Sequence, residues 1–430
     1  MTYETTLAFA QQLDQNDVLA PFRDRFFIPE RDGRALIYLC GNSLGLQPKA
    51  ARIALTRELD TWQHLGVEGW FEQADEKERE GAGRPWLNYH EYCKQHLADI
   101  VGSTVAEVCP MNALTVNIHL LLASFYRPTA TKYKILTIKG DFPSDQYALE
   151  THVKHRGLSP ADTIIEIAPQ DDGNAGTGLI HTSDIQRAIV QHADELAVIW
   201  LSGLNYYTGQ VYNMAALAAT AQQYCIPIGL DLAHAIGNVP LRLHDWGVDF
   251  ATWCSYKYLN SGPGGISGVF VHQKHHEQAL TRLAGWWGYR ESERFQMTPG
   301  FVPAPGADGW QVSTPPIPAL ALHRAALAIT AEAGITALRQ KSEHLTGLLA
   351  HSIASYDEIQ LLTPDEFSQR GCQLSLLVRK RGKALFDHLT RDGIIGDWRE
   401  PDCIRLAPAP LYNTFEEVWQ VGQSLQRFFG

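Results

Sequence analysis

Ile226-Pro-Ile-Gly-Leu-Asp-Leu-Ala-His234 is an apolar run of strand length that ends in an aspartate, with a histidine three residues further on. One strand later, Phe250-Ala-Thr-Trp-Cys254 runs into Ser-Tyr-Lys257 and then the glycine-rich turn Asn260-Ser-Gly-Pro-Gly-Gly265. Working outward, similar β-branched runs recur at Tyr133–Lys139, Thr163–Ala168, Leu196–Leu201 and Ile266–His272. Amphipathic stretches separate them, among them Ser183–Asp194, with Ser183 at the N-cap, and Ala215–Cys225. Strands alternating with helices of crossover length predict an α/β domain built on a doubly wound, mostly parallel sheet. Beyond the Pro- and Gly-rich stretch Pro299–Pro318, an Ala-rich helix, Ala319–Ala333, closes at Gly334 and is followed by Ile335–Tyr356. Strand-like Cys372–Val378 and Cys403–Pro408 follow, which predicts a second, smaller α+β domain. The expected division is a large domain over 61–310, a small domain over 311–430, and an N-terminal segment, 1–60, packing with the small one. No internal repeat or low-complexity tract interrupts this plan.

The 430 residues are 45% hydrophobic and 19% charged, ample for a large core. A formal net charge of -11 repels phosphate backbones and anionic lipid, so neither nucleic acid nor a membrane surface is expected as a general partner. No apolar run approaches the roughly 20 residues that span a bilayer, and the polar start MTYETTLAFA does not read as a signal peptide, which predicts a cytoplasmic protein. The 7 cysteines are scattered without a C-x-x-C pair, so neither a zinc site nor a disulfide framework is expected.

In a parallel α/β sheet, ligands sit beyond the carboxyl ends of the strands, so Asp231 faces a site. A buried aspartate there pairs with a cationic ring nitrogen, the partner that an electron-sink pyridinium needs. Two other readings stay open: an aspartate capping the next helix with His234 in the core, and Asp231 with His234 as metal ligands, the latter lacking a further His or Glu nearby. Lys257, at the next strand's end, is placed for desolvation to lower its pKa and make it a nucleophilic amine, against the alternative of a surface lysine beside a flexible loop. Met111-Asn-Ala-Leu-Thr-Val-Asn-Ile-His-Leu120 reads as the first turns of a helix whose N–H groups would hold a phosphate, with Thr115 adding a hydroxyl. Phe142-Pro-Ser-Asp145 follows its strand directly and offers an aromatic face for a planar ring, or else a tight turn. Together these features fit the pyridoxal-phosphate enzymes of fold type I.

The strings CGNSLGLQP, RPW, MNALTVNIHLLLASFY, FPSDQYA, DLAHAIGNVPL, WCSYKYLNSGPGG and RLAPAPLYNTFEEV, spread from Cys40 to Val418, resemble the kynureninase family. The resemblance implies an aminotransferase-like fold, pyridoxal 5'-phosphate as cofactor and a homodimer. It also implies hydrolysis of L-kynurenine or 3-hydroxy-L-kynurenine to the matching anthranilate and L-alanine, in tryptophan degradation and NAD-precursor synthesis. By matching motif it makes Lys257 the Schiff-base lysine, Asp231 the partner of the pyridinium nitrogen and His234 its support. Leu114, Thr115, Ser202, Tyr256, Trp286 and Thr314 would surround the cofactor, Phe142 would stack on it beside Ser144 and Asp145, and Tyr256 is also a candidate proton relay. Asn42, Ser43 and Arg405 would meet the substrate, Arg405 through its α-carboxylate. In two places the chain departs from the pattern: Thr314 stands where some members carry Asn, and Arg79 where some carry a substrate-facing His. A cysteine desulfurase, which would need a reactive cysteine on a mobile loop, and an aminotransferase are the alternatives within the fold. Cys254 falls in a strand expected to be buried. A non-catalytic binding module is the alternative from another class, set against by the presence of both Lys257 and Asp231.

Overall fold

The computed structural model describes residues 2–72, 85–169 and 178–430. Runs of Val, Ile, Leu and aromatic residues too short for a buried helix form a seven-stranded sheet: β1 (Val108–Pro110), β2 (Lys134–Ile138), β3 (Ile164–Ile167), β4 (Leu196–Ser202), β5 (Ile228–Asp231), β6 (Phe250–Trp253) and β7 (Gly268–Val271). The spatial order is β1-β7-β6-β5-β4-β2-β3, with β3, β2, β4, β5 and β6 mutually parallel and β7 antiparallel to both its neighbours. The doubly wound, mostly parallel reading therefore describes the sheet. Strand β1 is not expected from its sequence, and Cys254 lies just past β6 rather than in it, buried all the same. Ser183 is not an N-cap either: the helix is Thr182–Gln191, His181 holds the cap position without a side-chain bond, and Asp184 in the first turn meets the helix dipole.

Both faces of the sheet are covered by apolar side chains, as parallel strands require. Phe250 stacks on Phe125 at 4.3 Å, and the backbone of Gly229 passes so close that an added Cβ would fall 2.2 Å from the Phe250 ring. Only glycine fits that crossing.

The second sheet has four strands in the order β8 (Ile359–Leu361), β9 (Leu374–Val378), β11 (Cys403–Leu406), β10 (Asp397–Arg399), all antiparallel. In the register, Arg405 lies across from Ser375 on one side and from Asp397 on the other. The helices that matter below are α1 (Leu7–Gln15), α2 (Lys49–Leu65), α3 (Leu114–Phe125), α4 (Pro143–His155), α5 (Ile317–Ala333), α6 (Ile335–Ile353) and α7 (Phe415–Phe429). Gly334 takes φ +74 between α5 and α6, the left-handed turn that ends one helix and starts the next. Helices α1, α6 and α7 share a core with the second sheet, and the short strand Ile37–Tyr38 pairs in parallel with Ile394–Ile395. Asp14 accepts from the main-chain N–H groups of Phe415 and Glu416 at 2.8 and 2.9 Å, which caps α7 from α1. Among the described residues no helix is long and apolar enough to cross a membrane.

Candidate active site

Three strand ends meet in register at the carboxyl edge of the large sheet: Ser202, Asp231 and Thr252. The residues of the β2–α4 connection lean over them. Asp141 accepts from the N–H groups of Ser202 and Phe142, both at 3.2 Å, and Asp145 accepts from the Trp200 indole at 3.3 Å. Asp141, Asp145 and Asp231 are all buried and close enough to act on one another's charge. Burial lifts each of them, Asp141 to about 6, and burial together with Asp231 and Asp141 lifts Asp145 well above the carboxylate range. Asp231 also rises through burial, but the Lys257 ammonium and the Ala233 N–H, which donates to it at 2.7 Å, pull it back. In this coupled pair the proton rests on Asp145, leaving Asp231 ionised.

Lys257 lies in the loop after β6, half-buried, with Nζ 5.9 Å from the centroids of both Phe142 and Tyr256. The loop is held from the far side of the molecule: Gly45 N–H donates to Tyr256 O at 2.8 Å, and a Cβ on Gly45 would meet Lys257 O at 2.2 Å. Phe142 meets Tyr206 edge to face, with centroids 5.2 Å apart. The Tyr206 carbonyl accepts from Arg405 Nη1 at 2.6 Å and from Gln373 Nε2 at 3.1 Å. Asn42 Nδ2 donates to Gln373 Oε1 at 3.1 Å, which sets Asn42 and Ser43 beside the same group. A continuous path thus runs from Arg405 in the small sheet through Tyr206 and Phe142 to Lys257 in the large one.

His234 follows Asp231 and is buried without a partner for Nδ1. Burial, with Lys257, Arg405 and Arg399 adding positive charge nearby, holds its imidazole well below the usual histidine range, so it is neutral. Burial lifts the Tyr256 phenol above its ordinary range, with Cys254 beside it adding to the effect.

Donors for an anion lie nearby. Helices α3 and α4 begin at Ala113 and Phe142, neither of which supplies a side-chain cap, and Thr115 Oγ1 lies 2.8 Å from Ser144 Oγ between the two starts. Two helix N-termini with a hydroxyl from each suit a dianion, and the Phe142 face, ionised Asp231 and Lys257 suit an aromatic aldehyde whose ring nitrogen is protonated. The donor set therefore fits pyridoxal phosphate.

Of the residues named from sequence, Leu114, Thr115, Phe142, Ser144, Asp145, Ser202, Asp231, His234, Tyr256 and Lys257 lie on the strand ends and helix starts just described, and Asn42, Ser43 and Arg405 approach from the small sheet. Trp286 and Thr314 do not join them. Trp286 is 44% exposed and packs on Trp287 and Phe295. Thr314 lines a separate 450 Å³ cavity with Trp62, Trp70 and Trp86. Arg79 lies outside the described residues. Asp141, Tyr206, Gln373 and Asp397 are additions that the sequence alone does not single out. Asp141 could have been found as the carboxylate that follows β2, but Tyr206, Gln373 and Asp397 act only across the two sheets and carry no local signature.

Residues 338–425 match the family model described as the kynureninase C-terminal domain. A kynureninase of Flavobacterium psychrophilum is 45% identical over 433 residues, covering 99% of this chain and 99% of its own. The cysteine desulfurase CsdA of Escherichia coli superposes with a TM-score of 0.74 at 15% identity, covering 95% of this chain and 98% of its own. A mutant of C-DES, described with glycine covalently linked to its PLP cofactor, gives 0.72 at 18% identity, covering 91% and 96%. At such identities the two structures speak for the fold alone.

Proposed function

Because the chain belongs to the kynureninase family, we propose that it hydrolyses L-kynurenine or its 3-hydroxy derivative to the matching anthranilate and L-alanine, in tryptophan degradation and the supply of NAD precursors. The observation that supports this reading beyond family membership is that Lys257 and the buried Arg405 guanidinium lie around the same histidine, His234, and are linked through Phe142 and Tyr206, so an amine-reactive lysine and a carboxylate-binding cation share one site.

Lys257, Asp231, Phe142, Thr115 and Ser144 would hold pyridoxal phosphate, with Leu114, Ser202, His234 and Asp145 around them. When bound, the cofactor would supply an electron-withdrawing imine and ring able to take up the electron pair of the departing α-proton and then that of the bond between the β and γ carbons, which breaks once water has added to the γ-carbonyl, the γ-carbon leaving as the carboxyl of anthranilate and the β-carbon taking a proton to become the methyl of alanine. Lys257 is the base that takes this proton and returns it. Asp231, ionised because Asp145 keeps the shared proton, would hold the cofactor's ring nitrogen in its protonated form. Tyr256, protonated at neutral pH, donates a hydrogen bond to the phosphate or moves a proton at the γ-carbonyl. Arg405 takes the α-carboxylate, with Asn42 and Ser43 closing the same end. A desulfurase reading finds little support in the thiols: Cys254 and Cys40 are pushed up by burial, and the exposed Cys225 precedes the amino end of β5, the opposite edge of the sheet from Asp231.

We further propose a cytoplasmic homodimer. Val67, Phe71, Trp286, Phe295 and Met297 are exposed, and Phe295 is in ring contact with both Phe71 and Trp286, so the exposed apolar side chains form a connected group that a second copy would cover. Trp286 and Thr314, set apart from Lys257 within one chain, would reach the cofactor of the partner subunit.

The purified protein should show visible absorbance beyond the protein bands and release fluorescent anthranilate from L-kynurenine. Lys257→Ala should retain no turnover above about 10⁻³ of the parent. Absorbance without anthranilate would move the assignment to another activity of the fold.

A further inference from the structure

Arg405 is 1% exposed, and every polar atom of so buried a guanidinium needs an account. Nη1 donates to the Tyr206 carbonyl at 2.6 Å and Nη2 pairs with the Asp397 carboxylate. Nε has no hydrogen-bond partner. Arg399 donates to the same Asp397 oxygen at 3.2 Å, and its own Nε is also buried and unpartnered. One carboxylate therefore serves two guanidinium groups, and the trio carries one positive charge in excess. His234 is neutral and the Tyr38 and Cys40 side chains, both raised by burial, stay protonated, so none of these three cancels it. Asp397 owes its place to the sheet: it lies directly across from Arg405 in the β10–β11 register, on a backbone that fixes its distance.

We propose that Asp397 is a positioning residue for the substrate. It holds the Arg405 fork in place together with the Tyr206 carbonyl, and leaves an uncommitted N–H edge and an uncompensated charge for the substrate's α-carboxylate to take up. The inference rests on Arg405 being the carboxylate site of the proposed reaction. Asp397 itself touches neither substrate nor cofactor; it acts through Arg405.

The test is steady-state kinetics of holoenzyme variants on L-kynurenine, with kynuramine, which lacks the carboxylate, as a competing inhibitor. Asp397→Asn should raise KM about tenfold or more, leave kcat within about threefold, and leave inhibition by kynuramine unchanged. Asp397→Glu, which keeps the charge, should recover most of the lost affinity. An unchanged or lowered KM in Asp397→Asn overturns the proposal, as does an equal weakening of kynuramine, which would mark a general structural defect. If Asp397→Asn does not fold, judged by thermal melting and retained cofactor absorbance, Asp397→Ser is read by the same criteria. Arg405→Lys separates the two possible failures. If it leaves KM untouched, the carboxylate site lies elsewhere; if it raises KM while Asp397→Asn does not, only the role of Asp397 falls.

Discussion

His323 is wholly buried on α5, its Nδ1 bonded to the Ser261 hydroxyl at 2.7 Å, and burial alone pushes it down to about 3 from 6.5. Between those values the unfolded chain binds a proton that the folded chain refuses, so stability falls as the pH falls through this window. This one group accounts for about 1.4 kcal/mol per pH unit within it. His323→Asn, which keeps an acceptor for Ser261, should be less stable at neutral pH by about 1–3 kcal/mol. Its stability should nevertheless fall less steeply than the parent's between pH 6 and 4.5 in denaturant titrations, and equal slopes would refute the assignment. Gly45 makes another residue-scale prediction. A Cβ there lands 2.2 Å from Lys257 O and 2.3 Å from Asn260 Oδ1, so Gly45→Ala must displace the lysine loop, and kcat should drop on the order of a hundredfold. At this scale Asp231 is legible because a charged residue at the end of an apolar strand needs a reason, and Lys257 because a lysine follows such a strand into a glycine-rich turn, although it stands in the loop and not at the strand end. Tyr206 and Asp397 are not legible. Tyr206 acts through a backbone carbonyl, and nothing separates Asp397 from an ordinary exposed-strand acid until its cross-strand neighbour is known.

Helices α3 and α4 start without side-chain caps and bring Thr115 and Ser144 together, an arrangement that leaves first-turn N–H groups for an anion. Thr115→Val with Ser144→Ala should weaken cofactor binding by about 10- to 100-fold, as the loss of one or two hydrogen bonds to a charged group predicts, measured by titrating the apoenzyme and following visible absorbance. A change under twofold would place the phosphate elsewhere. Another cluster shows why proximity of donors is not enough. Glu107, His244 and His272 lie together, yet the two imidazoles stack at 5.0 Å and 10°, so their lone pairs run in nearly parallel planes and do not converge on one ion. The group instead ties β7 to the segment before β1, with Glu107 accepting from Thr104 and Gln273 N–H at 2.9 and 2.8 Å. Among elements, the strands rich in β-branched residues are readable from periodicity. The antiparallel course of β7 and the existence of β1 are not, since a strand buried on both faces reads as the same apolar run in either direction.

Across the whole molecule, the chain's beginning is sewn to its end. Asp14 caps α7, Arg23 pairs with Glu417 at 2.6 Å, and Lys341 meets Asp17 at 2.7 Å with both side chains buried. Asp14→Ala should cost about 1–2 kcal/mol, the usual worth of a helix cap, visible as a lowered melting temperature without a change in kcat. The existence of a second sheet is legible in the strand-like runs Cys372–Val378 and Cys403–Pro408, but the change of texture after Pro318 does not mark where it begins, because Ile317, Leu320, Ala321 and Leu327 of α5 lie in the core of the large sheet. The sewing is not legible, because sequence separation hides which distant segments share a core. The pairing of Ile37–Tyr38 with Ile394–Ile395, continued by Ala407 N–H donating to Leu39 O at 2.8 Å, has a consequence in time. A ribosome makes the later strand roughly 360 residues after the earlier one, a delay of about 20–70 s at ordinary elongation rates. Through all of it the apolar stretch ending at Leu39 is waiting on the nascent chain for a partner that has not yet been synthesised.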